Sequence, residues 1–156
     1  MEALLAALAD SEPATTLRFS RWLYAAVNTT HVLGIALLVG AIVPLDLRLL
    51  GLWPGVAREG LVRVLVPVAA TGLAIALVSG VLLFSARAPE YAALTVFRVK
   101  LALIALGAGS ALSLHLAHGF RLKGAAPRRL AGAGALSITC WLGALIMGRM
   151  IAFAGD

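Results

Sequence analysis

The stretch that decides the fold runs from Arg21 to Leu45 and reads RWLYAAVNTTHVLGIALLVGAIVPL. Arg21 is its only charged residue, and the rest is apolar apart from a short polar run, Asn28-Thr29-Thr30-His31. A helix needs about 20 predominantly apolar residues to cross the hydrocarbon of a bilayer, and this stretch supplies them. Three further segments do the same, at about 61–84, 97–116 and 130–154. The breakers and charges fall between them, in DLRLLGLWPGVARE (46–59), SARAPEY (85–91) and HGFRLKGAAPRR (118–129). Backbone groups in hydrocarbon must be paired within the segment, so the spans are helices. Short connections favour up-down order. The expected fold is all-α: an integral membrane four-helix up-down bundle forming one transmembrane domain over 1–156.

Composition agrees. The chain is 62% hydrophobic and only 13% charged, which excludes an ordinary soluble domain. Its net charge of +6 sits at the ends of the apolar segments, where basic residues meet lipid headgroups. That placement argues for lipid contact and against nucleic acid. The sole cysteine, Cys140, can form no disulfide within the chain and reads as a small hydrophobe. No CxxCH motif is present, so covalent haem attachment is not expected. The opening MEALLAALADSEP lacks the basic region of a signal peptide. Met1, Leu4, Leu5 and Leu8 recur at helical spacing, which predicts a short N-terminal helix lying at the membrane interface.

Let face A be the membrane face on which the N-terminus lies and face B the other. Face A receives Arg18, Arg21, Arg87, Arg98, Lys100 and Arg149; face B receives Arg48, Arg58, Arg63, Arg121, Lys123, Arg128 and Arg129. Lys100 and Arg149 lie inside spans. Without them face B is the more basic and therefore the cytoplasmic one, with the N-terminus in the periplasm of a bacterial inner membrane. Asp46 and Arg48 are expected to form a local pair on face B. Pro44 is expected to loosen the end of the first span. Glycines are dense in the other three spans, at Gly72, Gly80, Gly107, Gly109, Gly132, Gly134, Gly143 and Gly148. They allow close helix packing or the approach of a flat cofactor.

The polar run has an internal order. Arg21, Tyr24, Asn28 and His31 follow steps of three, four and three, so they share one helix face. Thr29 and Thr30 lie off it and can bond back to their own helix carbonyls. An ionisable side chain at the depth of His31 is a candidate functional residue. It can ligate haem iron or another metal, relay protons, or form an interhelical hydrogen bond. Asn28 reads as a supporting donor. His115 on the third span is a second candidate ligand, but it is displaced from His31 by about 14 Å along the membrane normal, at 1.5 Å per residue. Met147 on the fourth span falls within about 4 Å of the depth of His31 by the same rise. A twofold axis could instead bring two His31 residues together. Arg21, Arg98, Lys100 and Arg149 form a basic collar suited to haem propionates.

HVLGIALLVG (31–40), with His31 nine residues before Gly40, is similar to the first span of the membrane domain of copper-resistance protein D. FRVKLAL (97–103), with Phe97 and Lys100, resembles a later span of that family. Together with DLRLLGL (46–52) and GRMIAF (148–153), the pattern resembles a group of small four-span bacterial inner-membrane proteins without assigned function. The resemblance covers residues 20–153. The copper-resistance group implies copper handling. The related protoporphyrinogen-oxidising membrane proteins imply tetrapyrrole binding through a first-span histidine, which His31 matches. Leu38 stands where the copper family often has Trp, and no Met- or His-rich loading segment accompanies it.

The functional expectation is a haem-b protein passing electrons between the quinone pool and a partner, or anchoring a redox enzyme. His31 is its axial ligand, His115 or Met147 the other, and Arg21, Lys100 and Arg149 hold propionates. A soluble redox protein, a membrane protein or a second copy are the candidate partners. Two other classes stay open: a cofactor-free accessory or assembly subunit, and a copper- or metal-handling protein. No nucleophile–base pair or metalloprotease spacing supports hydrolysis.

Overall fold

A computed structural model describes residues 2–120, 122 and 124–154. Met1, Arg121 and Lys123, which entered the sequence reading, lie outside this set. The described chain is all-helical: α1 (Glu2–Ala9), α2 (Glu12–Phe19), α3 (Arg21–Leu49), α4 (Arg58–Ser85), α5 (Ala88–Ala93), α6 (Thr95–His118) and α7 (Pro127–Met150). A 3-10 turn over Ile151–Phe153 extends α7. The helices α3, α4 and α6, and α7 with its extension, are long and apolar enough to cross a membrane, as the multi-pass reading requires.

Local chemistry sets the helix ends. The Ser20 hydroxyl accepts the Leu23 N–H at 3.3 Å and so caps α3. Pro127 opens α7, where its missing N–H is not needed. Gly119 ends α6 at φ 67°, a left-handed conformation that costs glycine little. Pro44, expected to loosen the end of the first span, lies inside α3. The helix continues through it to Leu49, and a second interior proline, Pro67, lies within α4. Neighbouring helices in a membrane bundle tolerate such prolines.

The single interfacial helix expected at the N-terminus is two short helices. They fold back over face A: α1 packs on α5, and α2 on α3 and α4. Arg18 fastens them. Its Nε donates to the Ala86 carbonyl at 3.0 Å and its Nη2 to the Ala9 carbonyl at 2.7 Å, so one guanidinium serves the C-terminal ends of α4 and α1.

Glycine sets the packing of the spans. A Cβ on Gly34 would lie 2.7 Å from the Ala76 nitrogen, and one on Gly72 would lie 2.7 Å from the Gly34 carbonyl oxygen. The backbones of α3 and α4 therefore touch, which only residues without side chains permit. The other hairpin is closed by Gly107 of α6 against Cys140 and Trp141 of α7, and by Gly143 of α7 against Leu103. α3 and α7 join the two hairpins, with Gly134 lying against the Asp46 carbonyl and the Leu49 side chain.

Two apolar clusters fill the interior. Leu38, Ala41, Ala69 and Trp141 form a middle layer. Leu45, Val62, Leu114, Leu122 and Leu130 form another toward face B. On α4 and α5 toward face A, the buried residues are small or polar: Ser79, Ser85, Ala86 and Ala88. The bundle is thus solid at face B and built differently at face A, where His31 lies.

Candidate functional site

His31 projects from α3 onto α4. Its Nδ1 lies 3.1 Å from the Ser79 hydroxyl, and its Cε1 would be 3.0 Å from a Cβ on Gly80. A side chain at position 80 would displace the ring. The Ser79 hydroxyl also lies 2.5 Å from the Ile75 carbonyl one turn back. A carbonyl only accepts, so Ser79 donates its proton there and offers a lone pair to His31. This arrangement suits an imidazole that carries a proton on Nδ1. That is the tautomer and orientation a histidine ligand requires, supplied by a neighbour that holds the other nitrogen.

Lys100 arrives from α6. Its stem passes Gly148 of α7, where a Cβ would lie 3.4 Å from Nζ and 3.5 Å from Cε. Leu38 and Gly107 both meet Trp141. His31 and Lys100 each lie two turns from that layer toward face A, about 10 Å by helical rise. Met147, just before Gly148, falls in the same layer. Four spans thus contribute to one level of the membrane: His31, Ser79, Lys100 and Met147.

Lys100 has no ion-pair partner among the described residues. Of the seven acidic residues, Glu2, Glu12 and Glu90 belong to the short surface helices, Asp10 to the turn between α1 and α2, and Asp46 and Glu59 to the face B end; Asp156 is outside the described residues. Among the described residues the one ion pair is Arg87–Glu90 at 3.5 Å, exposed and three residues apart at the start of α5.

Other expected site residues fall elsewhere. His115 lies about 12 Å toward face B from Gly107, so its offset from His31 is about 22 Å by helical rise, wider than the sequence implied. It stacks on Phe120, with ring centroids 6.0 Å apart, and its Nδ1 is buried without a partner among the described residues. One chain therefore does not bring the two histidines to one metal. No group of three or more His, Cys, Asp or Glu is gathered among the described residues. The basic collar is also smaller than expected. Arg21 lies over the Trp22 ring and Arg149 over the Phe153 ring, at 5.2 and 5.1 Å, both exposed at face A. Arg98 donates to the Ala92 and Ala93 carbonyls. Of the four, only Lys100 is drawn into the bundle, against Gly148 at the depth of His31. Asn28 is exposed, as are Arg21 and Tyr24, so the stripe on α3 enters the bundle only at His31. Thr29 and Thr30 bond to the Ala25 and Ala26 carbonyls at 2.8 and 2.9 Å, as their spacing predicted.

The expected Asp46–Arg48 pair does not form. Arg48 turns outward, its Nε donating to the Val56 carbonyl at 2.8 Å and its Nη2 to the Pro54 carbonyl at 3.2 Å. Asp46 is buried instead. Residues two apart on a helix do not face each other, so the sequence already argued against the pair. Ser79 escaped notice as a partner; the signal was its place beside Gly80 in an otherwise apolar run.

Two pockets of about 420 and 490 Å³ lie at the ends of the bundle, and neither is lined by His31, Lys100 or Met147. Comparison with protein-family models, curated proteins and solved structures finds no match for this chain.

Proposed function

We propose that the chain is a membrane-embedded haem-b protein of the bacterial inner membrane, with its N-terminus on the periplasmic side. It passes electrons between the quinone pool and a membrane or soluble partner. The observation that carries the reading is the Ser79–His31 contact at Nδ1, which turns one ring nitrogen to a neighbour in a layer where the described residues supply Lys100 and no carboxylate. The donor set fits such a group: one imidazole nitrogen for iron, and one ammonium for a propionate. Met147 is at the depth of a second axial ligand, and His31 of a second copy is the other solution. Haem bound here supplies one-electron chemistry.

The protein's own residues do the rest. Ser79 fixes the ring, Gly80 leaves room for it, and Lys100 offsets negative charge. The apolar layer of Leu38, Ala41, Ala69 and Trp141 closes the site from face B. The test is a reduced-minus-oxidised spectrum of protein purified after haem-replete expression. A Soret band lost in His31→Ala is expected. A colourless protein, or a band indifferent to His31, overturns the reading. A colourless protein that co-purifies in fixed ratio with other membrane subunits supports an accessory role instead, and copper found by elemental analysis supports metal handling.

A further inference from the structure

A second site lies at the other end of the bundle and does not depend on the haem reading. Asp46 is only 4% exposed, and its Oδ2 has no hydrogen-bond partner among the described residues. It sits where α3 presses on α7, since a Cβ on Gly134 would lie 2.9 Å from the Asp46 carbonyl oxygen. Its neighbours Leu45 and Leu49 belong to or border the face B cluster. The Ser137 hydroxyl of α7 is the polar side chain beside it.

Among the described residues, the charged groups that could neutralise Asp46 are turned away. Arg48 on α3 is committed to two loop carbonyls, and Arg58 on α4 donates to the Leu122 carbonyl at 3.3 Å. Glu59 and Arg63 follow Arg58 on α4, Arg128 and Arg129 lie in the exposed first turn of α7, and His115 and His118 end α6. None of these forms an ion pair with Asp46. Burying a carboxylate in so apolar a setting disfavours its charged form.

A way in exists. The pocket of about 490 Å³ at face B is lined by Arg48, Arg58, Leu49 and Leu130, among others. Leu49 lies one turn beyond Asp46 on α3, and Leu130 one turn before Gly134 on α7. The pocket therefore ends one layer of leucine from a buried acid whose Oδ2 has no partner among the described residues.

We propose that Asp46 is a proton-binding site: a carboxylic acid, neutral at rest, that exchanges its proton with face B through the pocket closed by Leu49 and Leu130. Intramembrane acids of this kind react with dicyclohexylcarbodiimide, which is apolar and attacks the protonated carboxyl. The O–H proton passes to a carbodiimide nitrogen, the carboxylate oxygen bonds to the central carbon, and the O-acylisourea rearranges to a stable N-acylurea without any redox partner.

The test is peptide mass spectrometry of the full-length protein in detergent at neutral pH. The expected adduct is on Asp46, forming about tenfold more slowly per pH unit once the acid ionises. Leu49→Ala should speed the deuterium shift of the carboxylic-acid C=O stretch in D2O, a band that Asp46→Asn should lack while still folding. No adduct on Asp46 in folded protein, or no acid band at neutral pH, overturns the proposal. So does protection from labelling by sodium ions at constant pH, which would assign the carboxyl to a cation.

Discussion

The Nδ1 of His31 and the Oγ of Ser79 lie 3.1 Å apart across the α3–α4 interface, and the serine's own proton is spent on Ile75. The pair joins two spans and suits one tautomer at once. Interhelical hydrogen bonds in membrane proteins contribute about 0.6 kcal/mol on average. A double-mutant cycle of His31→Ala and Ser79→Ala, read by unfolding in mixed micelles, should give a coupling of about that size. Ser79→Ala should also weaken or shift the haem spectrum, whereas a purely structural pair would change stability alone.

Glycines in this chain fall into two classes that a melt can separate. Gly72→Ala places a methyl 2.7 Å from the Gly34 carbonyl oxygen and 2.9 Å from the Leu37 Cβ. The helices must part, at a cost of about 1–3 kcal/mol, with the His31–Ser79 bond the first to lengthen. Gly109 and Gly132 have open space where a Cβ would go. Alanine there should be neutral or stabilising, by up to about 1 kcal/mol from helix propensity. Equal effects at all three positions would contradict the described α3–α4 contact.

Lys100 is a half-buried cation with no ion pair among the described residues. Replacing it with Met keeps the stem that lies along Gly148 and removes a charge that packing does not need. Stability should hold or rise. If the proposed haem is bound, its content per protein, measured from the Soret absorbance, should fall. A fall in melting temperature with unchanged haem content would make Lys100 a structural residue.

The short helices of face A carry a pH dependence of their own. Tyr91 on α5 is held above the usual tyrosine range, chiefly by burial and then by the nearby Tyr24. A raised value means that the folded state prefers the neutral phenol. Its contribution is complete below the ordinary tyrosine value of about 10 and is lost as pH climbs through the folded-state value. Alkaline titration should loosen the face A cap, seen as faster proteolysis between α1 and α2, and Tyr91→Phe should remove that loss.

Much of this was readable in the residues. Hydropathy marked all four spans, though α3 runs past Pro44 because its neighbours, not its own sequence, keep the helix intact. Thr29 and Thr30 were readable because their partners are four residues away on the same helix. The stripe from Arg21 to His31 was placed correctly on one face. Periodicity says which residues share a face, but not what that face meets. Ser79 and Gly80 come from another helix and could not be assigned to His31 from spacing, whereas depth alone had set Lys100 near its level. The burial of Asp46 depends on the α3–α7 contact at Gly134, which no local pattern records.

The backbone contact between Gly34 and Gly72 also bears on biogenesis. The partners of that contact are complete once Ser85 has been translated, before any of α6 exists. The first hairpin can therefore close in the insertion machinery on its own, already carrying His31 and Ser79 together. The second hairpin then docks along α7 onto a finished surface, and the delivery of Lys100 becomes the last event of assembly.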